Sequence, residues 1–397
     1  VSRRILLCLH EIFIDGRPAD KVLEFHLKAD KRFGSRDRRA LAENVYGVVR
    51  WWRRLVEASG TPWVDGLGGD PTRVIVETSL AQWLSNWLSL RQTVCDVLPP
   101  PQTDFDQRWL SFQGQRATVE SIPDWLDQKG FSELGPSWDG ILTKLNQEAP
   151  VFLRANELLA SPQDVCAALK AEDYAVEVVE AAVLQLNRRA NIFQSASFKK
   201  GLFEMQDRHS QRVAPFLAVE PGQRVIDACA GAGGKTLHLA ALMKNKGQIL
   251  ALDIHLKKLE ELRRRARRAQ VHIVETREIS SNKVIKRLEG SADRLLLDVP
   301  CSGSGVLRRT PDKKWKLKPH DCDQLLQTQA GILDNYTRML KVKGLAVYAS
   351  CSLFPSENQQ QVAQFLERNK AYELVEELHL PPDSGDGFYA AKLRRVC

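Results

Sequence analysis

Residues 227–236 read DACAGAGGKT, and the interpretation of this decamer decides the fold. It ends like a P-loop, whose pattern G-x-x-x-x-G-K-[ST] needs glycine five positions before Gly234. Cys229 stands there instead. The dinucleotide pattern G-x-G-x-x-G fits Gly231 and Gly233 and then meets Thr236. Neither phosphate fingerprint is complete. What remains is an apolar run, QRVIDACA, then glycines, then a helix-like KTLHLAALMK. That order reads as strand, tight turn and helix. Glycines at such a turn let a ligand approach the backbone closely, and the decamer alone leaves that ligand open.

Around the decamer, from residue 213 onward, strand patterns alternate with helical ones: RVIDAC, GQILALDI, VHIVET, DRLLLDVP and GLAVYAS. YELVEELHL and GFYAAKLRR add two final strands. Such alternation predicts a parallel sheet with helices on both faces. In such sheets ligands bind beyond the C-terminal ends of the strands, and that rule sorts the polar residues. Asp227 and the glycine turn end the first strand, and Asp253 ends the second, 19 residues beyond Gly234. An acid at about that distance suits a ribose hydroxyl pair. Asp298, Pro300 and Cys301 end the fourth strand, and Ser350 and Cys351 the fifth. Two cysteines from distant sequence therefore converge on one edge. The plain alternative is a pair of buried structural thiols.

N-terminal to this region the composition changes, for eight of the nine tryptophans precede residue 139. Up to about residue 135 the pattern is mostly helical. DRRALAENVYGVVRWWRRLVEA places Leu41, Val45, Val48, Val49, Trp52 and Leu55 on one stripe, and TRVIVETSLAQWLSNWLSL repeats the pattern. LPPPQTDF breaks it as a loop. The tryptophan stripe reads as core rather than as a base-stacking platform. Between about 145 and 212, PVFLRAN and AVEVVE look like strands and SPQDVCAALKAEDY like a capped helix. Three domains are predicted: a helical one over 1–140, a small α+β one over 141–212, and the α/β domain over 213–397.

A length of 397 residues accommodates two or three domains. No segment approaches the apolar length of a membrane span, and RRILLCLHEIFI is too short, and interrupted by Glu11, to be a signal peptide. The eight cysteines form no C-x-x-C pair and the eight histidines show no zinc spacing, so a reduced cytoplasmic protein without a metal is expected. The net charge is +8. Residues 1–60 hold 13 Lys and Arg against 8 Asp and Glu, whereas residues 61–140 hold 5 against 11. Residues 257–289 hold 11 against 5, and RRTPDKKWKLK (308–318) holds six bases and one acid. This segregation suggests patches that meet nucleic acid.

DACAGAGGKT, LLLDVPCSGSGVLRRTPDKKW and VYASCSLFPSEN resemble three signature motifs of the RNA 5-methylcytosine methyltransferases, the RsmB/NOP/NSUN group. GLFEMQDRHSQRV resembles the motif just before the cofactor domain of that group. SRDRRALAENVYGVVRWWRRL resembles the NusB-like helical domain of its bacterial RsmB branch, so the resemblance covers nearly the whole chain. It implies an all-α NusB-like N-terminal domain, a small α+β (RRM/ferredoxin-like) linker domain, and a C-terminal α/β Rossmann-like methyltransferase domain with a mostly parallel seven-stranded sheet. It implies S-adenosylmethionine (SAM) as the ligand of the turn. Cys229, Ala230, Gly231, Ala232, Gly233, Gly234 and Lys235 would wrap the methionine and ribose. Asp253 would bind the ribose hydroxyls, Glu275 would stand beside the adenine, and Asp298 between cofactor and cytosine. Two departures stand out: the family usually has proline where Ala232 stands, and its third acidic motif is blurred in VETREIS. Lys235 is expected to reach the cofactor carboxylate or Asp298, or else to face solvent at a helix start.

The chemistry explains the residue types. Carbon 5 of cytosine is a poor nucleophile, and a thiolate adding to carbon 6 makes it an enamine carbon that can attack a sulfonium methyl. The thiol must be deprotonated for this. Charge building on the ring needs a partner at nitrogen 3, for which Asp298 is the candidate. The residues alone leave open which cysteine attacks. The resemblance makes Cys351 the nucleophile and Cys301 the residue that releases product. The target base must be single-stranded or turned out of its helix, with basic segments, Arg308, Arg309, Lys313 and Lys314 among them, on the RNA backbone. The expected activity is methylation of small-subunit ribosomal RNA by a monomer. A tRNA methyltransferase of the same family, a DNA cytosine methyltransferase and a catalytically silent RNA-binding assembly factor are the alternatives. The presence of both cysteines argues against the last.

Overall fold

The computed structural model describes residues 1–29, 32–63, 71–93 and 95–397, with the backbone alone over 71–78. The chain forms two compact units, Val1–Gln147 with Leu307–Pro319, and Glu148–Val306 with His320–Cys397.

The first unit is helical. Helices Ser2–Phe13, Ala19–Ala29, Ser35–Arg50, Trp52–Ala58 and Pro71–Leu90 build its core. The stripe expected from sequence is real: Leu41, Val45, Val48, Val49, Trp52 and Leu55 are all fully buried. The apolar 3.6-residue period continues across Trp51, where one helix ends and the next begins. Trp52 stacks on Phe13 at 3.8 Å between ring centroids and meets Trp83 edge-on at 4.9 Å. Trp52, Trp83 and Trp87 thus belong to the core, as expected of the tryptophan stripe. The side chains at the start of TRVIVETSLAQWLSNWLSL lie outside the described residues.

The segment 307–319 packs into this helical unit. Trp315 Nε1 donates to the carbonyl of Val49 at 2.6 Å, and Asp312 accepts from the amide of Ala19 at 3.1 Å. Lys314 is buried, with Nζ donating to the carbonyl of Arg50 at 2.7 Å. Burial and the nearby Arg50 push its pKa well below the ordinary lysine range. Arg308 is buried too, and its carbonyl accepts from Arg50. The expectation that Arg308 and Lys314 reach phosphates is therefore corrected. These two bases are turned inward, because Asp312 and Trp315 of the same segment bond into the helical core and carry Arg308 and Lys314 in with them.

The second unit holds two sheets. Strands β1 (Val151–Ala155), β2 (Val176–Glu180), β3 (Val183–Leu186) and β4 (Phe203–Met205) form an antiparallel sheet of order β2-β3-β1-β4. The helix Pro162–Ala171 packs on it and starts at a capping box, in which Ser161 and Asp164 each accept the other's backbone N–H. The larger sheet contains β5 (Arg224–Asp227), β6 (Gln248–Asp253), β7 (Val274–Glu278), β8 (Ala292–Asp298), β9 (Leu340–Ser350), β10 (Tyr372–Leu380) and β11 (Phe388–Arg395). Its order is β10-β11-β9-β8-β5-β6-β7. β5 to β9 run parallel, and β11 pairs antiparallel with both β9 and β10. The sheet is thus mostly parallel and seven-stranded, as expected. Along its central strands alternate residues join opposite cores: Val225, Ile249 and Leu296 on one face, Ile226, Leu250 and Leu295 on the other.

Candidate active site

The order reversal at β5 brings the ends of β5, β6, β8 and β9 together. After β5 the chain turns through Gly231 (φ +53°) and Gly233 (φ +88°) into the helix Gly234–Leu242. A Cβ on Gly233 would lie 2.5 Å from Leu262, so only glycine fits there. The space where a Cβ of Gly231 or Gly234 would project is open. Asp253 is buried and ties the turn down, accepting from the amides of Gly231 and His255 at 2.8 Å each. A carboxylate has about four lone-pair sites, so two remain for a ligand. Asp227 accepts from Thr236 Oγ1 at 2.7 Å, while its Oδ1 is buried without a hydrogen-bond partner among the described residues. Burial, above all, pushes the Asp227 carboxyl up to about 7. Burial, with Asp227 adding to it, keeps the Cys229 thiol well above its ordinary range. An open glycine cradle, an orphaned carboxylate oxygen and an acid with spare lone pairs fit the expected S-adenosylmethionine.

A second set of contacts braces this turn from behind. Arg265, on the helix Leu256–Arg268, donates to the carbonyl of Ala232 at 2.7 Å. The same guanidinium donates to Glu204 of β4 at 3.0 and 3.2 Å. Glu204 is almost fully buried and also accepts from Arg268 at 2.5 Å. Two arginines of the basic helix thus face inward, whereas Lys257, Lys258, Arg263, Arg264 and Arg267 are exposed.

The catalytic candidates meet at the β8 and β9 ends, where Asp298 is level with Ala349 and Val299 N donates to Ala349 O. The Sγ atoms of Cys301 and Cys351 are 3.3 Å apart. Lys235 Nζ donates to Asp298 at 2.7 Å. Burial disfavours the lysine's charge, but the Asp298 carboxylate outweighs it and holds Lys235 above its ordinary range. It is therefore an ammonium at neutral pH, within electrostatic reach of Cys351. Of the destinations expected for Lys235, the structure shows Asp298.

The cysteine loops lie backbone against backbone. Gly305 N donates to the carbonyl of Cys351 at 2.9 Å, and Gly387 N to the carbonyl of Gly305 at 2.8 Å. A Cβ on Gly305 would lie 2.3 Å from the Gly387 oxygen. Beneath both loops is the buried carboxylate of Glu357, a residue inside the quoted SCSLFPSEN that sequence reasoning gave no role. Contact across the fold was the missing signal.

Glu275 is not brought to the site. It lies on the edge strand β7 and pairs with Leu250, three residues short of the level of Asp253, and its exposed carboxylate accepts from Arg277 at 2.7 Å. At about 3.3 Å per residue that displacement is roughly 10 Å. The acid that register places opposite Asp253 is Glu278.

Among the described residues no helix is long and apolar enough to cross a membrane. Comparison with known proteins adds identity to this geometry. Residues 214–394 match the family model for the 16S rRNA methyltransferase RsmB/F, and residues 122–192 match the ferredoxin-like domain of RsmF/B-like methyltransferases. The chain is 30% identical over 335 residues to ribosomal RNA small subunit methyltransferase B of Proteus mirabilis, covering 82% of this chain and 78% of that protein. Among solved structures, PH0851 is similar over 100% of this chain and 99% of its own, with a TM-score of 0.80 and 23% identity. A methyltransferase homologue from Pyrococcus horikoshii is similar over 71% of this chain and 98% of its own, with a TM-score of 0.63 and 27% identity.

Proposed function

This chain belongs to the RsmB/F family of SAM-dependent 16S rRNA methyltransferases, and on that premise we propose that it methylates carbon 5 of a cytosine in small-subunit ribosomal RNA through a covalent Cys–cytosine adduct. The observation that carries the reading is the 3.3 Å approach of Cys301 and Cys351 beside the Lys235–Asp298 pair. A purely structural pair of thiols would not need a charged couple at its side.

In this reading Cys229 to Lys235 and Asp253 hold SAM, which supplies an electrophilic methyl group. Cys351 adds as thiolate to carbon 6, and the Lys235 ammonium favours that anion. Asp298 faces nitrogen 3 of the ring, and the proton that nitrogen 3 takes up as carbon 6 is attacked is the one Asp298 shares with the Lys235 ammonium. Cys301, across from Cys351, assists loss of the carbon 5 proton, after which the bond from Cys351 to carbon 6 breaks. The helical unit is the RNA-docking module, and the exposed bases of the helix Leu256–Arg268 meet phosphates.

The test uses the two cysteines separately. Cys351→Ala should abolish methylation and form no adduct. Cys301→Ala should still attack, transfer methyl and stall as a protein–RNA adduct, seen as a shifted band on a denaturing gel with labelled RNA. A band in Cys351→Ala alone would exchange the two roles, and no band in either variant would remove Cys301 from product release.

A further inference from the structure

We propose that Glu357 is a positioning residue that sets the separation of the two candidate catalytic sulfurs, an inference that rests on the cysteine roles given above. Its carboxylate is 1% exposed and receives four donors. Oε1 accepts from Ser302 N at 2.8 Å and from Gln329 Nε2 at 3.0 Å. Oε2 accepts from the hydroxyls of Ser302 and Ser352. All four lone-pair sites of the carboxylate are thereby filled. Ser302 directly follows Cys301, and Ser352 directly follows Cys351. One rigid group thus grips the residue after each cysteine.

The grip extends to the other side of Cys301. Gln329 Nε2 also donates to the carbonyl of Pro300 at 2.9 Å, so Cys301 is flanked by two residues tied to the same network. The backbone that carries the carboxylate is anchored too, because Tyr348 of β9 donates its hydroxyl to the Glu357 main-chain carbonyl at 2.6 Å. Its neighbour Asn358 accepts from Ser350 Oγ at 2.5 Å and donates to the Ser352 carbonyl at 3.0 Å. Cys351 is therefore bracketed in the same way, by Ser350 and Ser352. Among the described residues no cation lies within ion-pair distance of Glu357. A buried carboxylate without a cation is expensive to keep, and its donors are the cysteine loops and the glutamine that also holds one of them. Charge-assisted hydrogen bonds are about twice as strong as neutral ones, which suits a group that must hold two loops to one spacing.

Glu357→Gln keeps the shape but places an NH2 group where two lone pairs accepted. The loops then lose part of their common anchor, and the sulfurs separate. The readout independent of methylation is the Cys301–Cys351 thiol–disulfide equilibrium, poised with oxidised and reduced dithiothreitol and mapped by peptide mass spectrometry. In that exchange the two thiols give up two electrons and two protons, and the oxidised dithiothreitol takes both. Glu357→Gln should lower the equilibrium constant about tenfold, because a charged hydrogen bond is worth about that factor. It should lower kcat by a similar factor or more, leaving the KM and Kd for SAM unchanged. Ser302→Ala and Ser352→Ala, each removing one hydroxyl donor, should shift both quantities in the same direction and carry the test if Glu357→Gln does not fold. An unchanged disulfide equilibrium in the folded variants overturns the proposal. A shifted equilibrium with Cys351→Ala still active would keep Glu357 as the spacer and remove the cysteine mechanism instead.

Discussion

Arg265→Ala should weaken cofactor binding from a position behind the turn. The guanidinium makes three hydrogen bonds, one to the carbonyl of Ala232 and two to Glu204. A bond to a neutral carbonyl contributes about 1 kcal/mol and bonds to a carboxylate about 1.5–3 kcal/mol. Glu204 keeps Arg268 at 2.5 Å, so its charge is not stranded and the lower end applies. The expected loss of stability is about 4 kcal/mol, or roughly 8–16 °C in Tm for a unit of this size. The turn, released at Ala232, should bind SAM about tenfold more weakly, equivalent to about 1.4 kcal/mol. Arg265→Lys should recover more of the Tm than of the affinity, since an ammonium cannot span both partners as the planar fork does. Adding Ala232→Pro to Arg265→Ala should recover affinity by fixing φ at the released residue. Scanning calorimetry and titration calorimetry with SAM give the two quantities. A lowered Tm with unchanged SAM affinity would refute the reasoning, because the brace would then hold the two sheets together and not reach into the turn.

Three further outcomes are expected. Asp253→Ala removes the acceptor of the Gly231 and His255 amides and should weaken SAM binding about tenfold or more; unchanged affinity by calorimetry would take Asp253 out of the site. Asp227, held at about 7 by burial, keeps its proton in the fold after the unfolded chain has lost it. Protons are then released on unfolding, so stability should fall as pH rises from about 4 to about 7, and urea titrations should show a shallower fall over that window for Asp227→Asn. Gly305→Ala drives a methyl group into the Gly387 and Cys351 carbonyls and should abolish methylation while lowering Tm by several degrees; an active, stable variant would mean that the loops have slack.

Much of the site was legible because strand ends are marked by strong signals. Asp227, Asp253, Asp298, Cys301 and Cys351 each follow an apolar run that is buried on both faces, and such runs fix where a strand stops. VETREIS offers no such mark. β7 is an edge strand in which Glu275, Arg277 and Glu278 are exposed, so no apolar face fixes which residue stands beside Asp253. Arg308 and Lys314 defeated charge counting for a different reason. Their burial is decided by Val49, Arg50 and Asn146, more than 150 residues away in sequence. Arg265 and Glu357 were ordinary letters until contacts with Ala232, Glu204, Ser302 and Ser352 gave them work.

The membership of residues 307–319 in the helical unit has a consequence for how the protein is made. A unit that runs from Val1 to Gln147 and then borrows Leu307–Pro319 is not complete when its first part leaves the ribosome. The partners of Val49, Arg50 and Ala19 arrive only after β5 to β8 have been translated. At about 5–20 residues per second that interval is roughly 10–30 s. During it the nascent helices lack Trp315 and the carbonyls of Val49 and Arg50 lack their donors. Completion of the helical core therefore waits on synthesis of β5 to β8, and a gene cut at the apparent domain border would encode a helical module that never receives its final piece.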